Sequence, residues 1–175
     1  MRKTNIGAMD CPIAQSLELV GEWWSILILR DAFQGLSKFD EFQRSLGLSP
    51  TMLTRRLKTL VRNGILYKQA YCTRPARFEY LLTERGQAFF PVLLTLLQWG
   101  NQALAHEDIA VVPVNRRHAA KVAPVLVDRD TGEPLTHLNV TIAAGPRAGK
   151  GIKRRLETRQ EKLKHHDAYP HKEFL

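Results

Sequence analysis

Apolar residues in the first part of the chain recur every three or four positions, the period of helices that turn one side to a core. Ile13, Leu17, Val20 and Trp24 begin the pattern, with Asp10 as an N-cap and Pro12 in the first turn, where its missing N–H breaks no bond. Gly21 predicts a break or bend. Trp23 to Phe33 is apolar almost all round, which predicts a central helix covered on several sides, and Gly35 ends it as a left-handed cap. Ser37 with Asp40 three positions on is close to a capping box and opens a short helix that buries Phe39, Phe42 and Leu46.

After a turn at Gly47 and Leu48, Ser49 is the N-cap and Pro50 the first residue of the next helix, so the order is helix, tight turn, helix. Leu53, Leu57, Leu60 and Val61 point to the core at helical spacing, while Thr51, Arg55, Lys58 and Arg62 lie opposite. Met52, Thr54, Arg56 and Thr59 fall on the flanks. Asn63-Gly64 stops this helix. Ile65 to Tyr71 then reads as a strand, Cys72 to Ala76 as a tip carrying Arg74 and Pro75, and Arg77 to Leu82 as the return strand. Thr83 caps a last long helix reaching about Ala105, kinked at Pro91. Its apolar residues, Phe89 to Trp99, exceed what one small domain covers, which favours a contact with a second copy over packing against the rest of the chain.

Charge sharpens the picture. The 175-residue chain holds 26 Lys and Arg against 17 Asp and Glu, a net charge of +9, and a basic excess of that size favours nucleic acid or an anionic surface. Between Glu41 and Glu79 there is no acidic residue, whereas Arg44, Arg55, Arg56, Lys58, Arg62, Lys68, Arg74 and Arg77 all fall there. A helix-turn-helix followed directly by a hairpin, in an acid-free span, reads as a DNA-reading helix plus wing. Thr51, Met52, Thr54 and Arg55 are expected at base edges, and Lys58, Arg62, Arg74 and Arg77 mainly on phosphates; Ser49 and Arg56 are counted with the same DNA-binding set. A winged helix serving as a protein-interaction module is the alternative, but a protein groove does not call for an acid-free face.

Enzyme chemistry has little support. All six histidines lie beyond residue 104, and no nucleophile–base pair stands out. Gly145 to Gly151 is one residue short of a phosphate loop, with Gly in place of the metal-binding Ser or Thr, and reads as a linker. The apolar runs Trp23–Leu29 and Val92–Leu97 are far shorter than the roughly 18 residues that span a bilayer. The N-terminus has Arg2 and Lys3 but no apolar stretch of a secretory signal behind them, and Cys11 and Cys72 fit a reducing compartment, so a cytoplasmic protein is expected.

Cys11-Pro12-Ile13, Trp24 to Arg30, Phe39 to Phe42, Ser49 to Leu57, Asn63 to Leu66 and Glu79 to Gly86 together resemble the HxlR-type transcriptional regulators over about residues 9–104. The resemblance implies an α+β, mainly helical fold: a winged helix-turn-helix that binds double-stranded operator DNA as a homodimer, with the first and last helices forming the dimer contact. It implies a recognition helix over Ser49 to Leu60 and a wing over Tyr71 to Arg77, with no cofactor and room for a small-molecule effector. Some members sense electrophiles or oxidants through a cysteine beside a proline near the N-terminus, here Cys11. A helix N-terminus favours its thiolate and Asp10 opposes it, which leaves both a sensing thiol and an inert, partly buried one open. Cys72, in the wing, reads as an incidental exposed thiol.

Beyond the 9–105 winged-helix domain, residues 106–145 are expected to form a small β appendage from Val111–Val114, Pro124–Val127 and Leu138–Ile142. Its Gly132-Glu133-Pro134-Leu135 looks like the extension of longer family members, some of which carry a Cys-x-x-Cys pair. Asp128 and Thr131 stand there instead, so no structural zinc is expected. Residues 146–175 read as a basic tail, either adding nonspecific DNA affinity or simply solvated.

Overall fold

The computed structural model describes residues 9–20 and 22–166, so the expected break at Gly21 and the features at Arg2, Lys3 and His171 lie outside the described residues. The chain divides into two units: residues 19–134, and residues 1–18 with 135–175.

The larger unit is built as the apolar periodicity requires. Helices α2 (Trp23–Phe33), α3 (Phe39–Leu46) and α4 (Pro50–Arg62) precede an antiparallel hairpin of β1 (Leu66–Thr73) and β2 (Ala76–Leu82). Ile28 and Leu29 from α2, Phe42 from α3, Leu53, Leu57 and Leu60 from α4 and Leu66 from β1 are fully buried together. Each of these side chains contributes roughly 2 kcal/mol by leaving water.

Helix ends are closed by specific groups. Gly35 and Gly47 take left-handed φ values of 101° and 63° behind α2 and α3. The cap of α3 differs from the expected one. Lys38 rather than Ser37 is the N-cap, and the carboxylate is that of Glu41, which accepts from the backbone N–H groups of Ser37 and Lys38 at 2.9 Å each. Asp40 lies one position too early to turn back and instead pairs with Arg44 along the helix surface.

The last helix is not continuous. Thr83 accepts from the Gly86 N–H at 3.0 Å and starts α5 (Glu84–Gln87); a new helix, α6 (Phe90–Asn101), then begins with Pro91 in its first turn. Pro91 lacks the N–H an unbroken helix would need, and its ring excludes the carbonyl four residues back, so the expected kink becomes a stop and restart. Gly86 also sits so close to β1 that a Cβ there would stand 2.2 Å from the Ile65 carbonyl oxygen. Val92 and Trp99 on α6 are 50% and 71% exposed.

Residues 111–134 form two turns closed by the single bridges Val114–Lys121 and Val127–Pro134, not the expected strands. Pro113, Pro124 and Pro134 cannot donate to a ladder, so pairing does not spread. The second turn is held by Asp128, whose Oδ1 accepts from the N–H groups of Asp130 and Thr131 at 2.8 and 2.9 Å; those bonds hold its carboxyl below the usual range.

In the smaller unit, the expected strand at Leu138–Ile142 is absent. Thr136 and Asn139 make a turn there, with Asn139 Oδ1 2.7 Å from the Thr136 N–H. Helix α1 (Pro12–Val20) straddles the boundary between the units, and α7 (Lys150–His166) makes the expected tail helical over 17 residues.

Candidate nucleic-acid interface

Helix α4 begins where the sequence places it. Ser49 Oγ accepts from the Met52 N–H at 3.3 Å, with Pro50 in the first turn, and thirteen residues follow. Leu53, Leu57 and Leu60 anchor one side, so Thr51, Arg55, Lys58 and Arg62 emerge on the other, all exposed. Met52 is 40% exposed beside them, and Thr54 is half-buried. Ser49 is exposed at the N-terminal end, where α4 presents its positive dipole end.

Arg56 departs from this set. Its side chain is only 9% exposed, and its guanidinium bonds the carboxylate of Glu22 at the start of α2. The expectation that Arg56 faces DNA from the flank is corrected by helix geometry: position 56 is three beyond Leu53 and four before Leu60, which puts it on the buried stripe. The structural partner missed by sequence reading is Glu22, distant in sequence and ordinary in its own surroundings.

Behind α4 the wing is fastened at its base and free at its tip. Asn63, the C-cap of α4, donates through Nδ2 to the Leu19 carbonyl at 2.7 Å, and Gly64 follows with φ of 67°. Strand β2 is tied to the loop before α3 by Tyr80 N–H to the Ser37 carbonyl at 2.7 Å and by Ser37 Oγ to Glu79 at 3.1 Å. Pairing runs from Leu66–Leu82 to Thr73–Ala76 with a bulge between Ala70 and Cys72. Lys68 stretches over the Phe78 ring at 3.7 Å, and Lys38 stands over Tyr71 at 5.1 Å, cation–π contacts that brace the exposed hairpin. Arg74 and Arg77 are exposed at the distal end, where Cys72 is half-buried with its thiol 3.6 Å from the Arg74 carbonyl.

Within the smaller unit, Cys11 lies just ahead of α1. The backbone N–H groups of Ala14 and Ile13 bond its sulfur, and Arg155 of α7 adds a hydrogen bond and a positive charge; together they hold the thiol below its ordinary range. The opposing influence expected from Asp10 is not among the causes of that shift. Ile13 and Leu17 on α1 are 73% and 47% exposed. Among the described residues no three metal-ligating side chains stand together, and no helix is long and apolar enough to cross a membrane.

The model of the HxlR-like helix-turn-helix family matches residues 19–108. An uncharacterised HTH-type transcriptional regulator of Mycobacterium tuberculosis is 37% identical over 147 residues, covering 82% of this chain and 89% of its own. The crystal structure of PA1607, named as a candidate transcription factor, superposes with a TM-score of 0.73 at 36% identity, over 81% of this chain and 100% of that one. The redox regulator HypR in its reduced form superposes at 0.50 with 29% identity, over 57% of this chain and 96% of its own.

Proposed function

We propose that this chain, which belongs to the HxlR-like helix-turn-helix family of DNA-binding transcriptional regulators, acts as a homodimer on a palindromic operator. One observation carries the reading: the exposed side of α4 bears Thr51, Arg55, Lys58 and Arg62 with no acidic residue, next to a wing ending in Arg74 and Arg77. In the proposed complex α4 enters the major groove. Thr51, Met52, Thr54 and Arg55 meet base edges; Ser49, Lys58 and Arg62 contact the backbone, and the wing arginines reach phosphate or minor groove. Arg56 supports the helix through Glu22 rather than touching DNA.

A single α4 reaches one half-site, so specificity at a palindrome needs two. Exposed apolar residues on α1 and α6, among them Ile13, Leu17, Val92 and Trp99, support dimerisation through these two helices. Two copies of α4 would then sit about 34 Å apart on successive major grooves. The 9–105 segment is the functional core of this proposal, with 106–145 and the basic 146–175 segment as additions to it.

A redox response through Cys11 is part of the same proposal. Its lowered pKa raises the fraction of thiolate, the form that oxidants and electrophiles attack, and HypR is a redox regulator of the same fold. The test is a mobility shift on DNA flanking the coding region, repeated with a thiol oxidant and with Cys11→Ser. Retarded DNA that is released by oxidant only when Cys11 is present supports both parts. Unchanged retardation after oxidation removes the sensor, and no retardation removes the regulator.

A further inference from the structure

Helix α6 is apolar on two opposite sides, and the dimer proposed above would cover only one of them. Val92 and Trp99, seven residues apart, share the outer side. Phe90, Leu94 and Leu97 fall on the other, where with α2 they line a cavity of about 390 Å³. That volume lies within the range of small-molecule sites, and the walls are mostly apolar, with Arg30 and Gln34 as the polar side chains. Phe33 and Phe90 meet at 5.2 Å between ring centres with a 49° tilt, an aromatic wall that a third ring or an alkyl chain can extend.

Arg30 is the one charged residue in the lining. Its Nε and Nη2 both bond Oδ1 of Asp31, at 2.9 and 2.7 Å, and Asp31 is 1% exposed while Arg30 is 44% exposed. The buried carboxylate therefore fixes the guanidinium plane and takes only part of its five N–H donors, leaving others at the rim. A ligand matching this layout has an apolar body for the cavity and an acceptor at the rim, where partial exposure keeps an anionic head from full desolvation.

We propose that the cavity between α2 and α6 binds a small hydrophobic monocarboxylate, an aryl or medium-chain alkyl acid, with its carboxylate on Arg30. Binding on the inner side of α6 leaves Val92 and Trp99 free. An acid wedged there moves α6 relative to α2, and so alters the spacing of paired α4 helices; this regulatory step rests on the dimer reading above, whereas binding itself does not.

The test uses the full chain, without DNA, titrated calorimetrically with 4-phenylbutyrate, with octanoate and with methyl 4-phenylbutyrate. One acid per chain is expected, with a Kd on the order of 0.1 mM for a ligand of this size, and the ester should bind at least about tenfold more weakly, a difference of roughly 1.4 kcal/mol. Leu94→Trp fills the cavity and should abolish acid binding with the circular dichroism spectrum unchanged. Arg30→Gln should erase the preference for acid over ester, and Arg30→Lys, which keeps a cation beside Asp31, should retain part of it. No saturation at millimolar acid, an ester as tight as the acid, or unaltered binding by Leu94→Trp overturns the proposal. So does a result in which no probe binds and Leu94→Trp abolishes self-association in light scattering, since a second copy then fills the cavity. Operator retardation by ligand-free protein is scored separately, so loss of acid binding with retardation intact removes this inference alone.

Discussion

Arg56 on α4 bonds Glu22, the N-cap of α2, and so fastens one helix to the start of the other. Arg55, its neighbour in sequence, points to solvent from the other side of the same helix. Adjacent arginines of identical chemistry therefore have different work. Arg56→Ala should destabilise the fold by about 1–3 kcal/mol in urea unfolding, because it strands a charge and opens a buried position. Arg55→Ala should shift stability by less than about 0.5 kcal/mol and weaken operator binding by about 1–3 kcal/mol. Equal effects of the two substitutions on both measurements would contradict this division.

The paired arginines also mark what a sequence can and cannot disclose. Helix α4 was legible because Ser49, Pro50 and the spacing of Leu53, Leu57 and Leu60 are local signals that all agree. Arg56 was legible in principle, since its position continues that buried stripe, but its charge argued for the surface and Glu22 lies 34 residues away. Pro91 signalled the interruption between α5 and α6, but the approach of Gly86 to the Ile65 carbonyl is a tertiary contact that local propensity does not encode. Short apolar runs at Val111–Val114 and Pro124–Val127 signalled strands, yet intervening prolines confine pairing to one bridge per turn. The inner side of α6 and its cavity were hidden for another reason: an all-round apolar helix does not reveal which of its sides packs and which stays open.

Gly86 should be intolerant of the smallest substitution. Gly86→Ala places a methyl group 2.2 Å from a backbone oxygen, and thermal melting should report a loss of at least about 1–3 kcal/mol. Gly100, within α6, has no atom within 4 Å of a prospective Cβ, so Gly100→Ala should be neutral or stabilise by up to about 1 kcal/mol. Similar melts for the two variants would show that the approach of α5 to β1 is looser than described.

Glu41 links the start of α3 to acidity. The backbone N–H groups of Lys38 and Ser37 hold its carboxyl below the ordinary glutamate range, with smaller help from the Lys38 and Arg44 charges. Its folded pKa is depressed, so its stabilising contribution is fully present above the unfolded value of about 4.3 and fades as pH falls through the folded value. Urea unfolding of wild type and Glu41→Gln should therefore differ most above about pH 5 and converge as the pH falls through the depressed folded value. A gap between them independent of pH would show that the carboxylate is not what caps α3.

At Cys11 the thiolate is favoured first by the Ala14 and Ile13 N–H groups and then by Arg155. In a Cys72→Ser background, Arg155→Gln should raise the pKa read from iodoacetamide alkylation rates without restoring the ordinary thiol value, because the backbone donors remain. An unchanged rate profile would exclude Arg155 from the thiol's surroundings in solution.

In the proposed complex, paired copies of α4 and the wing neutralise DNA phosphates in both half-sites of an operator. Its most direct test is the equilibrium constant for operator binding measured against salt concentration. For a dimer neutralising roughly eight phosphates, log K should fall with log salt at a slope of about −7, and Lys58→Ala, which removes one contact per protomer, should reduce that slope by roughly 2. A flat salt response, or a slope that Lys58→Ala leaves untouched, would contradict the account.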